Sequence, residues 1–254
     1  VQLLGSQNDM ATIRLLIPAL VILLIMGISE LWSFQCIEEE NTGLRSIAIL
    51  VPEKNQGIVP DDPMNRRIDF ERLRKINPDI AGWIYIPGTG IDYPILSGVT
   101  DTEYLEKDFA GNLSRSGSLF TYAGADLSED GHVCIFGHNM ISGQMFGRLK
   151  QYLTGNYASD CRDLYLYTPE RTKHGTLYSV FRCGKYDPVF ELNQLNTQTF
   201  VNELAEKLSS RNTADFNGKE RGNQIFTLAT CIGYAGSDQR LTVHFAVTEE
   251  KYIL

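Results

Sequence analysis

The sequence predicts a mainly β protein with helices, a barrel or sandwich carrying helical additions. Short runs rich in Val, Ile, Tyr and Phe recur between residues 82 and 247, separated by Gly-, Pro- and Asn-containing turns. One long amphipathic helix, from about Thr197 to Ser210, precedes the last two runs and places Phe200, Val201, Leu204 and Leu208 on one stripe. A helix inserted before the penultimate strand favours a β-barrel with helical additions. An apolar N-terminal segment stands apart from this pattern, and no internal repeat or low-complexity stretch occurs.

From the N-terminus, residues 1–9 are polar and irregular, and Met10 reads as a natural start. Residues 1–12 are therefore expected to hold an expression-derived extension and the cytoplasmic start. Residues 13–32 form the expected membrane anchor, interrupted by Arg14, Pro18, Gly27, Ser29 and Glu30. About a dozen Leu, Ile and Val residues at roughly −0.3 to −0.6 kcal/mol each outweigh one glutamate near the end of the segment. A cleaved signal peptide is the rival, because the uninterrupted apolar core falls short of the ~20 residues of a comfortable span. Gly27-Ile28-Ser29 is a poor cleavage site, however, and Gln35 occupies the place of the small residue that lipoprotein cleavage before Cys36 would need. Arg14 before the segment and Glu38, Glu39 and Glu40 after it put the N-terminus in the cytoplasm and the main domain outside. Residues 33–65 mix charge, Gly, Pro and Asn and read as an extracellular tether with a short helix. The folded domain takes 66–254.

Within that domain, Arg66 to Ile76 reads as a short amphipathic helix capped by Asp69 and ended by Asn77-Pro78. Strands are expected at 82–89, 92–96, 118–122 and 132–138, then a short helix at 145–152. Further strands at 164–168 and 176–182, the long helix, and a closing strand pair at 225–231 and 241–247 complete the domain.

Composition removes several function classes. A net charge of −8 without a Lys/Arg block argues against nucleic acid, which needs a clustered basic surface. Cys36, Cys134, Cys161, Cys183 and Cys231 are odd in number and scattered, so they form no disulfide framework, and no C-x-x-C pair is present. No phosphate-cradling loop, H-E-x-x-H or G-x-S-x-G motif occurs. His132, Cys134 and His138 share one strand parity, but His132 and His138 would stand about 20 Å apart at ~3.3 Å per residue, too far to bind one zinc. No metal and no cofactor is expected.

The chemistry-bearing candidates are Cys231, His138 and Arg240. Cys231 ends an apolar strand, where it is either a nucleophile or a small packing residue. An unperturbed thiol is only a few per cent thiolate at neutral pH, so a nucleophilic cysteine needs a base or cationic partner. His138 lies where a strand passes into a polar, glycine-containing loop, a common functional position and equally a common place for a solvated histidine. Arg240 begins the strand after Cys231, and its fork of donors suits a developing oxyanion or a surface role alike.

Taken together, Thr227-Leu228-Ala229-Thr230-Cys231, Arg240 on the next strand and His138 far upstream resemble the sortase family of cysteine transpeptidases. Four further stretches resemble class B sortases: residues 77–84, 91–95, Tyr104-Leu105-Glu106-Lys107-Asp108-Phe109, and Gly137-His138-Asn139-Met140 continuing to Met145-Phe146-Gly147. The resemblance covers roughly Ile68 to Val247. It implies a closed β-barrel of about eight strands with an N-terminal helical region, and a catalytic domain at 66–254 on the outer face of a Gram-positive membrane. It further implies that Cys231 attacks the carbonyl after the threonine of a C-terminal sorting motif on a surface protein or pilin, giving a thioacyl-enzyme. An amine of a cell-wall precursor or a pilin lysine resolves it, with His138 as acid and base and Arg240 holding substrate or oxyanion. Leu96, Phe136, Asn139, Ala229, Thr230 and Ile232 are expected to border the substrate, with Thr227 to Cys231 as the floor of a peptide groove. Two positions depart from the class B pattern, which often has serine at Ala229 and an acidic residue at Ile232, so an NPQTN-like preference is not carried over. The competing readings are a secreted cysteine endopeptidase that only hydrolyses and a non-enzymatic, membrane-tethered β-domain. A papain-like enzyme would place its cysteine before its histidine, the reverse of the order here.

Overall fold

Eight of the strand-forming runs pair into a closed barrel. The computed structural model describes residues 5–50, 62–129, 131–191, 198–213, 222–233 and 237–253. The chain falls into two units, Val1–Gly43 and Leu44–Leu254.

The described residues of the first unit lie within helix α1, Gly5–Ala48. Its apolar side chains from Leu16 to Leu31 are exposed; Leu20 and Leu23 are 64% and 67% accessible. The helix is long and apolar enough to cross a membrane by length and composition. It also runs on past residue 32, so 33–48, where the sequence suggested a tether, is helical. Residues 51–61 of that expected tether lie outside the described residues.

In the second unit, Leu44 and Ala48 join Phe70, Leu73, Trp83 and Leu96 in a buried cluster. The two-residue strands β1 (Ile49–Leu50) and β2 (Arg67–Ile68) pair antiparallel. Helix α2, Phe70–Ile76, begins where the Asp69 carboxylate accepts the Arg72 N–H at 2.9 Å, satisfying a donor that has no partner within the helix. It stops at Asn77, before Pro78, as the sequence predicts.

The remaining elements are β3 (Ile80–Ile86), β4 (Ile91–Leu96), β5 (Leu119–Thr121), β6 (Gly131–Phe136), α3 (Tyr157–Asp160), β7 (Asp163–Tyr167), β8 (Arg171–Gly184), α4 (Gln198–Ser210), β9 (Gln224–Cys231) and β10 (Gln239–Tyr252). Around the barrel the order is β10-β8-β7-β3-β4-β5-β6-β9, closing back on β10. The β4–β5 and β6–β9 pairs are parallel and the others antiparallel. The helix expected at 145–152 is instead a 3-10 turn at Leu149–Leu153. Positive φ at Gly143 and Met145 bends the chain just before it and delays helical geometry. Strands β8 and β10 outrun their predicted limits because they pair with each other from Gly184–Gln239 to Arg171–Tyr252. Register shifts at His244/Phe245 and Val247/Glu249 carry the ladder past the apolar run.

Helix α4 covers one wall of the barrel, packing Val201, Leu204, Ala205 and Leu208 against Phe181, Ile225 and Ala246. With a side-chain period of two, the β9 face that carries Ile225 also carries Thr227, Ala229 and Cys231. Register places His132, Cys134 and Phe136 of β6 beside Ile225, Thr227 and Ala229. On the other side, Arg240, Thr242 and His244 of β10 stand opposite Cys231, Ala229 and Thr227. The three candidate residues therefore belong to one wall.

Candidate active site

Strands β6 and β9 are parallel and end at the same rim, where the antiparallel β10 begins. Arg240 is the register partner of Cys231, and the Ile232 N–H to Gln239 carbonyl bond of 3.1 Å extends that ladder by one step. On the other side of β9, the Gly137 N–H donates to the Ala229 carbonyl at 3.2 Å, and Thr230 Oγ1 donates to the Gly137 carbonyl at 2.7 Å. These two bonds carry the β6–β9 pairing beyond the end of β6 and bring the His138 backbone level with Cys231. His138, Cys231 and Arg240 thus form a row across three neighbouring strand ends.

Just before His138, Gly137 lets Leu119 and Phe146 pack closely on the strand end, since a Cβ there would collide with both side chains. The loop after His138 is closed by the Phe146 N–H to His138 carbonyl bond at 3.0 Å and by the Asn139–Met145 bridge. The His138 ring is half-buried, and its Nε2 lies 2.8 Å from the Leu105 carbonyl oxygen. Arg240 Nη1 donates to the carbonyls of Ser237 and Gln239 at 2.9 and 3.1 Å, which fixes the guanidinium at the head of β10.

Exposure separates the cysteines. Within the Leu44–Leu254 unit only Cys231 is exposed; Cys134, Cys161 and Cys183 are buried. Burial pushes the Cys134 thiol far up and the Cys183 thiol up to about 11, so neither supplies thiolate near neutrality. The histidines divide in the same way. His132 and His244 are buried, and burial lowers His132 to about 4 and His244 well below the usual imidazole range. His174 is bound to Asp163 at 2.8 Å on the β7–β8 pair. His138 is the histidine at the cysteine's rim. A thiol, an imidazole and a fixed guanidinium at one solvent-facing edge are the parts that nucleophilic acyl transfer needs.

The residues expected to border the substrate are dispersed. Leu96 is fully buried among Trp83, Tyr104 and Phe120, so it is a core residue here, because α2 and residues 44–48 cover that face of β4. Ala229 and Thr230 are at most 3% accessible, and the Thr230 hydroxyl is committed to Gly137. Of the expected groove floor from Thr227 to Cys231, solvent reaches only Cys231. Phe136, Asn139 and Ile232 are half-buried near the rim, with Phe136 stacked on Phe120 and edge-on to Tyr122. Sequence reasoning missed the contact between Leu105 and His138. A backbone carbonyl has no signature of its own, although Tyr104–Phe109 is among the stretches that carry the class B resemblance.

The Sortase domain family matches residues 84–247. Sortase B of Staphylococcus aureus (strain NCTC 8325 / PS 47) is 26% identical over 228 residues, covering 88% of this chain and 91% of that protein. Sortase B of Listeria monocytogenes serovar 1/2a (strain ATCC BAA-679 / EGD-e) is 29% identical over 171 residues, 65% of this chain and 68% of that one. A crystal structure of sortase B from B. anthracis matches with a TM-score of 0.69 and 25% identity, over 87% of this chain and 99% of that chain. The closed barrel of eight strands is the architecture of these sortase B structures, and the matched domain reaches from β3 to β10. The chain belongs to the sortase family of cysteine transpeptidases, with class B sortases as its relatives.

Proposed function

We propose that Cys231 is the nucleophile of this transpeptidase, with His138 as its acid and base and Arg240 as the donor to substrate carbonyl or oxyanion. The observation that carries the reading is the exposure of Cys231 at a strand end, in register with Arg240 and beside His138. The Cys231 sulfur adds to the peptide carbonyl after the threonine of a C-terminal sorting signal, and the C–N bond breaks. The leaving amine takes a proton from His138 and a thioacyl-enzyme remains. An incoming amine, from a cell-wall precursor or a pilin lysine, gives its proton to His138 as it displaces the sulfur. Guanidinium donors act where negative charge develops on the carbonyl oxygen, and losing one such donor typically costs ~10²–10³ in rate.

The apolar part of α1, residues 13–32, is the proposed single-pass anchor, with the catalytic domain 66–254 on the outer face of a Gram-positive cell. Its exposed Leu and Ile side chains support this reading. The substrates are surface proteins or pilins bearing the sorting signal. The deciding experiment is a peptide-library cleavage screen with mass-spectrometric detection of acyl-Cys231, run with and without an added amine. An acyl adduct on Cys231 and ligated peptide in the presence of amine are expected. Persistent activity in Cys231→Ala would refute the assignment, and hydrolysis without any ligated product would favour an endopeptidase.

A further inference from the structure

We infer that the backbone carbonyl of Leu105 orients His138 and sets its tautomer. The inference rests on the reading of His138 as the acid–base residue. A carbonyl oxygen can only accept, so at 2.8 Å from Leu105 O the ring proton sits on Nε2. Nδ1 is then the basic nitrogen. In acylation the thiol proton passes from Sγ to Nδ1 as the S–C bond forms, and from Nδ1 to the departing amine as the C–N bond breaks. The Nε2–H stays bonded to the Leu105 carbonyl throughout. A base held by a third group is the general requirement of such pairs; here that group is uncharged main chain.

This carbonyl is held from two sides. Residues Glu103–Leu105 form a 3-10 turn, and Gly117, with φ of 56°, packs so closely on it that a Cβ would collide with the Leu105 carbonyl. The Ser118 N–H donates to the neighbouring Tyr104 carbonyl at 3.0 Å. Tyr104 itself is 3% exposed, and its hydroxyl donates to Asp79 at 2.6 Å and accepts from Asn77 Nδ2 at 2.8 Å. Asn77 Nδ2 also donates to the Phe109 carbonyl at 2.9 Å, so the segment is tied to the end of α2 at both Tyr104 and Phe109. Tyr104 and Gly117 are thereby positioning residues acting through Leu105.

Nitrogen-15 NMR of the full chain labelled at histidine, with His138→Gln to assign the resonance, reads the tautomer directly. The Nε2–H form is expected for His138 in the free enzyme. Gly117→Ala, or Tyr104→Phe if that variant does not fold, is expected to lower kcat about 10-fold, to leave KM within about twofold and to move the His138 signal, because a small displacement of a positioned base costs rate. An Nδ1–H form in the wild type, or an unmoved signal with unchanged kcat in both variants, overturns the inference. Full activity in His138→Gln refutes instead the catalytic reading beneath it, a result separable from the tautomer.

Discussion

The wall formed by β6, β9 and β10 carries two groupings of cysteine and histidine, each with an arginine nearby, and they differ in their exposure to solvent. Toward the start of β6, His132 Nε2 and His244 Nδ1 both meet the Thr227 hydroxyl, at 2.7 and 2.8 Å, and Cys134 Sγ lies 3.7 Å from His132 Nε2. Phe181 stacks on His244 with ring centroids 4.8 Å apart, and Arg211 lies 4.0 Å over Phe181 while bound to Asp187. At the other end stand His138, Cys231 and Arg240. The residue types match, but the surroundings differ. The first grouping lies in mid-strand near α4, where burial holds both imidazoles neutral and the thiol protonated. The second lies where the strands stop and solvent reaches the thiol. What separates the two groupings is position along the strands rather than residue identity.

The comparison breaks most directly at the two cysteines. Cys231→Ala is expected to lower acylation by at least ~10⁴-fold, by analogy with removal of other catalytic nucleophiles. Cys134→Ala should leave kcat/KM within about twofold and cost about 1 kcal/mol of stability, the order of a small buried truncation. Acyl-enzyme mass spectrometry and urea unfolding measure the two effects, and activity lost equally in both variants would erase the distinction. His138→Ala should cost ~10²–10⁴ in kcat, the usual range for a positioned proton donor; steady-state kinetics with a fluorogenic sorting peptide reads it. Arg240→Ala should cost ~10²–10³ in kcat/KM in the same assay. Arg211→Ala should leave the rate alone and lose only about 1 kcal/mol of stability, because its ion pair with Asp187 is partly solvated.

A pH dependence of stability belongs to the buried grouping. In the folded protein His132 titrates at about 4, against 6.5 for the free side chain, so between those values the unfolded chain binds more protons. Stability is therefore fully present above about pH 6.5 and falls as the pH drops toward 4. Urea unfolding at about pH 7.5 and about pH 5 should differ by on the order of 2 kcal/mol from this residue, before any contribution from His244. His132→Gln should flatten that difference.

Local features of this chain were legible. Asp69 as a cap, Asn77-Pro78 as a stop, the apolar stripe of α4 and the closing β9–β10 pair all depend on residues close together in sequence. The pairing of Cys231 with Arg240 belongs to this class, since a short connection joins antiparallel neighbours. The 3-10 turn at Leu149–Leu153 and the burial of Leu96 were not legible, because a loop's φ values set the first and packing from α2 and residues 44–48 sets the second.

By itself, the sequence determined most of the strands, the α4 helix, the apolar N-terminal segment, the order His138, Cys231, Arg240 and the family those residues resemble. Alternation, capping and turn chemistry act within a few residues, so they can be read from a string. Only the tertiary structure decided which cysteine and which histidine face solvent together. The parallel β6–β9 pairing joins segments on either side of β7, β8 and α4, and burial is a property of everything packed around a side chain. The link from Leu105 to His138 belongs to the same class: its acceptor is a backbone atom whose position depends on Gly117 and on the contacts of Tyr104.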